Sequence, residues 1–529
     1  MSQSYFSPEV VLLGSRPKTQ VYIRSRHVER VLCRRLDEQR GEEYLVLWRK
    51  RSIPDPASAP ASWHSVNELS RCLHLVQDYL NSCPKPSRKR INENRSPEVS
   101  DRRVAAKVRE TSSPALSPAA SASPSEPQPG SRDIKIFNGV LREIGGYIVA
   151  ENSSNNDVVL FDATTLPTPD MVERATRTEA TIAASRIRYE FTQRLRNISG
   201  PPIQLLNTFD ESSPPLRFQF IDKCVIRDGV QRADPATLLG CTKCRPDMGQ
   251  NIGCEYTLKC ECLEYAAVDT ARLSEEQRER YSLIQANGGE GDTSGMPKRF
   301  PYHSPFGNRA ECLVPFYLES RHPIYECNVN CGCKGNCKTI VVQKGRQVRL
   351  QIFKTRDRGW GLKTLQDLKE GQFIDTYRGE IITDAEATRR EEAATSRKDS
   401  YFYSLDKFAD SQGLQPEDLY VIDGEYMGGP TRFMNHSCEP NCRQYTVSWN
   451  KNDFMIYEIA FFAIRPIRAG EELTFDYLDK DDIDESQSTS KSGQEKSSGD
   501  GGGAASTDAS LKPVECRCGS KKCRKYLWI

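Results

Sequence analysis

The stretch Arg432-Phe-Met-Asn-His-Ser-Cys438 decides the reading of this chain. Gly470-Glu-Glu-Leu-Thr-Phe-Asp-Tyr477 follows it, and Cys516-Arg-Cys518-Gly-Ser-Lys-Lys-Cys523 comes after that. Taken singly, these are three unrelated loops, one of them a stray zinc site. Coincidence is a poor explanation for all three in this order.

Working outward, the 529 residues leave room for about three or four domains. Hydrophobic residues make up only 37%, so part of the chain is expected to be linker. A net charge of +2 gives no whole-chain case for nucleic-acid binding, but residues 85–109 hold nine Lys/Arg against three Asp/Glu. No apolar run reaches the roughly 18 residues that span a bilayer. The opening Met1-Ser-Gln-Ser-Tyr-Phe6 has no basic flank before an apolar core, so no secretory signal is expected. The chain has 19 cysteines, which in a secreted protein would imply disulfides. Tight Cys-x-Cys and Cys-x-x-Cys spacings without a signal favour zinc thiolates instead.

Residues 20–82 read as a first folded segment. Val28–Leu32 and Glu43–Trp48 are strand-like, Trp63 follows a Pro/Ala/Ser insertion at 53–62, and Leu69, Leu73, Val76 and Leu80 recur at helical spacing. Three short strands closed by a helix resemble a chromodomain; another small β-barrel with a C-terminal helix is the alternative. In that resemblance Trp48 is one wall of a methyl-lysine cage. Arg26 and Arg51 stand at the other two walls, and His64 replaces the usual acid. Two arginines repel a trimethylammonium group. In a different register Tyr22 or Trp63 substitutes as a cage wall; the preferred expectation is that the segment binds something else, such as nucleic acid through Arg24, Arg26, Arg49, Lys50 and Arg51.

Residues 84–132 are too rich in Pro, Ser, Ala and Arg to bury a core and are expected to be disordered. Lys85-Pro-Ser-Arg-Lys-Arg90 within them suits nuclear import or phosphate contact, or is a solvated charge run. Residues 134–165 look strand-like and are unassigned. The spacing of Val172, Ala175, Ile182, Ile187, Phe191 and Leu195 predicts one long helix over 171–197, stopped by Pro201-Pro202.

Cys241, Cys244, Cys254, Cys260 and Cys262 form one cysteine group, and Cys327, Cys331, Cys333 and Cys337 a second. Three tetrahedral zinc ions have twelve ligand positions, so nine cysteines suffice if three bridge two metals each. This set resembles the pre-SET triangular zinc cluster of histone H3 lysine-9 methyltransferases. The polar stretch 272–300 between the groups is expected to be an exposed loop. Cys224 and Cys312 fall outside the pattern.

Over roughly residues 200–529 the chain resembles SET-domain methyltransferases of the suppressor-of-variegation class. The resemblance implies an α+β, β-rich fold: a SET-domain knot of short sheets, flanked by zinc-stabilised pre-SET and post-SET regions, with the chromodomain-like sheet and helix ahead of it. Its divisions are 134–220 leading into the pre-SET, 221–340 pre-SET, 346–478 SET, 479–512 a flexible loop rich in Ser, Gly and Asp, and 513–529 post-SET. It implies S-adenosylmethionine held by Arg358-Gly359-Trp360-Gly361, Tyr401, Arg432, Phe433, Asn435, His436 and Trp528. It implies Tyr477 as the central catalytic residue and Tyr377 as the tyrosine that meets the target nitrogen. Cys438 joins Cys516, Cys518 and Cys523 around a fourth zinc, with Cys442 as the alternative ligand. Phe475 stands where families carry Phe or Tyr, and Phe favours di- or trimethylation because no hydroxyl holds a restricting water.

The leading expectation is a nuclear, chromosome-bound enzyme methylating lysine 9 of the histone H3 tail in heterochromatin. A catalytically silent chromatin scaffold, or a methyltransferase for another histone or non-histone lysine, are the alternatives. Tyr477, Asn435 and His436 are intact, which argues against the silent scaffold.

Overall fold

The structure is a computed structural model. It describes residues 23–37, 41–49, 61–83, the strands at 141–144 and 147–150, and 167–245, 261–264, 266–287, 291–304, 306–335, 337–393, 401–478 and 514–528. The expected 84–132 linker, the 479–512 loop, Cys254, Cys260, Lys50 and Arg51 lie outside these residues, as does the side chain of Trp528. Two compact units divide the chain, Met1–Arg186 and Ile187–Ile529. No helix among the described residues is long and apolar enough to cross a membrane.

In the first unit β1 (Val28–Asp37), β2 (Gly41–Trp48) and β3 (Ala61–Ser65) form an antiparallel sheet with β2 at its centre. Seven consecutive residues of β2 are buried, because both faces of the sheet are covered. On one face α1 (Leu73–Ser82) sets Tyr79 edge-on against Tyr44. The helix starts at Leu73, and Leu69 is buried in the preceding turn, so the helical spacing extends one turn beyond the helix. β4 (Leu141–Ile144) and β5 (Tyr147–Ala150) pair as a hairpin within the unassigned 134–165 stretch.

On the other face α2 (Pro169–Arg177) lays Met171 and Ala175 on Leu32, Cys33, Leu45, Leu47, Ala61 and Trp63. The predicted single helix over 171–197 is in fact two, α2 and α3 (Thr181–Leu195). No Gly or Pro breaks it; tertiary partners do. Arg34 donates Nε and Nη2 to the Ala175 carbonyl at 3.0 and 2.8 Å, satisfying the end of α2. The buried Glu42 carboxylate accepts the Ile182 N–H at 2.9 Å and the Ala183 N–H at 3.3 Å, founding a fresh helix start.

The second unit is a set of small sheets. β6 (Ile203–Leu206), β7 (Gln219–Phe220) and β8 (Val225–Ile226) each pair, in parallel, with a strand much later in the chain. The 272–300 stretch is not a bare loop. Ser274 and Gln277 form a capping box at the head of α4 (Glu275–Ala286), whose Ile284 joins Val268, Leu273 and Met296 in a small core. The box is legible in Ser274-Glu-Glu-Gln277, but the charged helix face hides it among polar residues. α5 (Pro315–Ser320) leads to β9 (Ile324–Tyr325). β10 (Leu350–Lys354) and β11 (Trp360–Thr364) form a hairpin, with Val348, Leu350 and Ile352 fully buried, as their alternation predicts.

β12 (Phe373–Tyr377) and β13 (Glu380–Thr383) precede α6 (Asp384–Glu392). β14 (Phe402–Ser404), β15 (Tyr420–Asp423) and β16 (Met427–Gly428) follow. β17 (Asn435–His436), β18 (Cys442–Ser448), β19 (Glu458–Ala463) and β20 (Thr474–Phe475) complete the centre, and β21 (Val514–Glu515) with β22 (Tyr526–Trp528) the tail. Two four-stranded sheets run in the orders β12-β19-β18-β9 and β14-β15-β13-β8. The main core packs Tyr302, Leu313, Tyr317, Ile324, Phe373, Tyr445, Val447 and Phe462.

Candidate active site and cysteine centres

Two short strands far apart in sequence build the site. β17 pairs in parallel with β20, Asn435 opposite Thr474 and His436 opposite Phe475. The Ser437 N–H continues the ladder to the Phe475 carbonyl at 3.0 Å. 

This Ser437–Phe475 bond closes the crossing of the two segments. The buried Asn441 amide braces the same place, donating to the Glu472 carbonyl at 2.7 Å and accepting the Thr474 N–H at 2.9 Å. The sequence stretches around 432 and 470 are therefore one structural object.

Tyr477 follows directly. Its backbone N–H donates to His436 Nδ1 at 3.1 Å, and its hydroxyl donates to the Met434 carbonyl at 2.8 Å. Burial pushes the His436 imidazole down to about 4, so it is neutral and can accept that N–H. Phe475 is buried between Tyr477 and Phe461, with ring centroids 4.8 Å away on each side. Tyr377 is buried at the end of β12, and its hydroxyl donates to the Tyr401 carbonyl at 2.7 Å. Burial raises the Tyr377 phenol well above its ordinary range, so it stays protonated. A side chain at Gly424 would strike the Tyr377 hydroxyl, with the added carbon 2.4 Å away.

Arg432 braces this wall. Its guanidinium lies 4.2 Å from the Tyr401 ring centre and 4.8 Å from that of Phe218, and Nε donates to the Gly424 carbonyl at 3.1 Å. Phe433 is buried against Phe218 and Phe220 and belongs to the core. Gly359 has φ +71°, where a side chain is strained, and it opens the turn from Arg358 to Gly361. Asn435 Nδ2 reaches the Trp360 carbonyl at 3.3 Å, which joins that turn to the crossing.

Sequence reasoning missed Glu472, although it lies inside a quoted motif. Its carboxylate accepts from Arg358 Nη2 at 2.6 Å and from Asn435 Nδ2 at 2.8 Å, tying three segments together. A carbon added at Gly361 would sit 2.9 Å from the same carboxylate and from the Phe353 ring, so a side chain there must displace one or both. Asp476 and Arg524 were also missed. The only signal was an acid beside Tyr477 and a base beside Cys523.

The tail sulfurs of Cys438, Cys516, Cys518 and Cys523 lie within 4.8 Å of one another, and Cys438 and Cys516 are 3.8 Å apart. Tetrahedral zinc with Zn–S bonds of about 2.3 Å needs sulfurs roughly 3.8 Å apart, so the set fits zinc. Burial alone would raise the Cys518 thiol, but hydrogen bonds from Cys438, Ser520, Cys516 and Cys523 pull it down to about 7. Cys442 is fully buried against Asn441 and lies outside this set.

The other cysteines gather likewise. Cys241, Cys244, Cys262, Cys327, Cys331, Cys333 and Cys337 share one buried cluster. Cys262 and Cys331 sulfurs are 3.3 Å apart, and Cys262, Cys327 and Cys331 converge. Hydrogen bonds from Cys262, Cys327 and Cys333 hold the Cys331 thiol far below its ordinary range. Next to Cys327, the buried Glu326 carboxylate accepts from the Tyr302 hydroxyl at 2.9 Å and from the Val341 and Val342 N–H groups at 3.0 and 2.7 Å. It anchors the turn at 341–342 to the strand end beside Cys327.

Comparison with known proteins follows the same division. The SET domain family matches residues 359–478, and the Pre-SET motif matches residues 195–339. The histone-lysine N-methyltransferase, H3 lysine-9 specific, dim-5 of Neurospora crassa is 39% identical over 332 residues, covering 62% of this chain and 88% of that protein. The H3 lysine-9 specific KMT1 of Fusarium mangiferae is 40% identical over 334 residues, with the same 62% and 88%. The solved structure of the Neurospora SET domain protein DIM-5, a histone lysine methyltransferase, is 37% identical, covers 53% of this chain and 96% of that one, and has a TM-score of 0.43.

Proposed function

This chain belongs to the SET-domain histone-lysine N-methyltransferases, and from that premise we propose that it transfers methyl groups from S-adenosylmethionine to lysine 9 of histone H3, reaching the di- or trimethyl state. The observation that carries the reading is the crossing of β17 and β20, which gathers Asn435, His436, Phe475 and Tyr477 at one place. Incubating the full chain with a histone H3 tail and placing the products by mass spectrometry tests it. Methylation at another lysine, or none, sinks it.

Bound S-adenosylmethionine supplies an electrophilic methyl on a sulfonium. In this reading Arg358 to Gly361, Tyr401, Asn435, His436 and Trp528 hold it. The tyrosine hydroxyls then handle the target amine. Both donate their hydrogens to main-chain carbonyls, which leaves their oxygen lone pairs to act as acceptors. Two acceptors orient an amine for attack by taking its N–H bonds, which is positioning rather than base catalysis. A free lysine with a pKa near 10.4 is neutral about once in two thousand at pH 7. A dry channel walled by Phe475 and Tyr377 favours the neutral form, and the released proton goes to water.

We read the cysteine sets as three zinc ions in the pre-SET region and one in the tail; the four tail sulfurs fit tetrahedral thiolate coordination, and Cys262, Cys327 and Cys331 converge in the pre-SET cluster. The enzyme is placed in the nucleus on heterochromatin, with the first unit as a chromodomain-like module. Trp48 is wholly buried there, and Trp63 is buried beneath the Arg35 guanidinium. Neither ring is disposed to wall an open cage. This argues against methyl-lysine as the module's ligand, and nucleic acid is the alternative we take.

A further inference from the structure

Arg524 follows the tail cysteine Cys523. Its backbone N–H donates to Cys438 Sγ at 3.3 Å, and its guanidinium grips Asp476 at two points, Nη1 to Oδ2 at 2.8 Å and Nη2 to Oδ1 at 2.5 Å. Asp476 stands between Phe475 and Tyr477. Its Oδ1 is 3.5 Å from His436 Nδ1, the atom that accepts the Tyr477 N–H.

The thiolates fix where the tail is anchored, and Cys438 Sγ lies 3.2 Å from His436 Nε2. The guanidinium fork reaches further, gripping the Asp476 carboxylate itself and lying 3.4 Å from the same His436 nitrogen. A planar fork on a carboxylate restricts both distance and rotation, which a single point charge cannot. We propose that Arg524 is a positioning residue. Through Asp476 it sets the orientation of Tyr477, so methyl transfer waits on a closed tail. The inference rests on the reading of Tyr477 as the catalytic group. The plainer role for Arg524, helping to hold the tail down, makes different demands. It would change metal retention and peptide affinity together with rate.

The test uses the full chain with Arg524→Met, Arg524→Lys, Asp476→Asn and the Arg524→Met/Asp476→Asn double variant. Each is assayed for kcat and KM on the H3 tail peptide and for zinc content. Arg524→Met is expected to lower kcat about tenfold or more, as a misplaced reacting group does, with KM and zinc unchanged. Arg524→Lys, which keeps charge but loses the fork, falls between. The double variant is expected to be no worse than the worse single one, because both remove the same contact. A wild-type kcat in Arg524→Met, additive losses, or zinc loss in step with kcat overturns the proposal. Tyr477→Phe is run alongside. If it is dead while Arg524→Met is normal, only the coupling fails; if it is fully active, the reading of Tyr477 itself fails.

Discussion

The Tyr477 hydroxyl donates its hydrogen to the Met434 carbonyl across the crossing, at 2.8 Å. The phenol oxygen therefore keeps its lone pairs for the reacting centre and has no proton to give. Tyr477→Phe removes that acceptor and leaves the ring packed against Phe475 and His436. The expected result is a loss in kcat of about a hundredfold or more, the scale seen when one oriented polar group leaves a reacting centre. Circular dichroism and zinc content should match the wild type. A loss of under threefold would refute the assignment.

Phe475 is wedged 4.8 Å from both Phe461 and Tyr477, on the wall of the proposed lysine channel. Phe475→Tyr adds a hydroxyl that can hold a water where an added methyl must rotate. The expected outcome is a shift from trimethyl towards monomethyl product with a substantial first-transfer rate. Mass spectrometry at matched turnover reads it, and an unchanged distribution counts against the channel geometry.

Much of this site was legible because its parts are short runs of unusual residues. The crossing of β17 and β20 was not, since no local pattern says that residue 435 pairs with 474. The same limit applies to the first unit. The apolar spacing over 171–197 is genuinely helical, yet Arg34 and Glu42, more than 130 residues away, decide where one helix ends and the next begins. Glu472 is hidden in the sequence for a related reason. A carboxylate in a strand-like run reads as a solvent-facing residue until its partners, Arg358 and Asn435, are seen beside it.

Zinc should be present at about four per chain if each thiolate set is filled as proposed. A content near one would remove the pre-SET cluster from the account. Cys518→Ser is expected to abolish activity while the unfolding transition of the remaining structure stays in place, because the change frees only the tail. Strong chelation should do more. It should unfold the Cys327–Cys337 region as well, since those thiolates form the centre of a buried cluster rather than its edge.

Glu42 is buried and serves three donors at once: the Ile182 and Ala183 N–H groups and the Tyr44 hydroxyl. Glu42→Ala leaves all three without an acceptor. A lost helix cap costs about 0.5–2 kcal/mol, and the unpaired buried phenol adds about 1–3 kcal/mol. Destabilisation of the first unit by about 1.5–5 kcal/mol is therefore expected in urea titration. Catalysis on a free H3 peptide should be unaffected. A midpoint unchanged within error would mean that the helix start finds another partner.

The last expectation concerns how much chain the first unit needs. A fragment ending near residue 110 would carry the three-stranded sheet and α1 but not α2. It would leave Leu32, Leu45, Leu47 and Trp63 without the cover of Met171 and Ala175. An apolar sheet face left open invites association. Residues 1–186 should be monomeric by size-exclusion chromatography at a concentration where 1–110 aggregates, and Met171→Asp in the longer fragment should reproduce the defect. The longer fragment is then the proper material for the binding question. Nucleic-acid affinity carried by Arg24, Arg26 and Arg49 should fall steeply as salt rises. Micromolar binding of a trimethyl-lysine-9 H3 peptide, lost on Trp48→Ala and unaccompanied by salt-sensitive nucleic-acid binding, would reverse the assignment of this module.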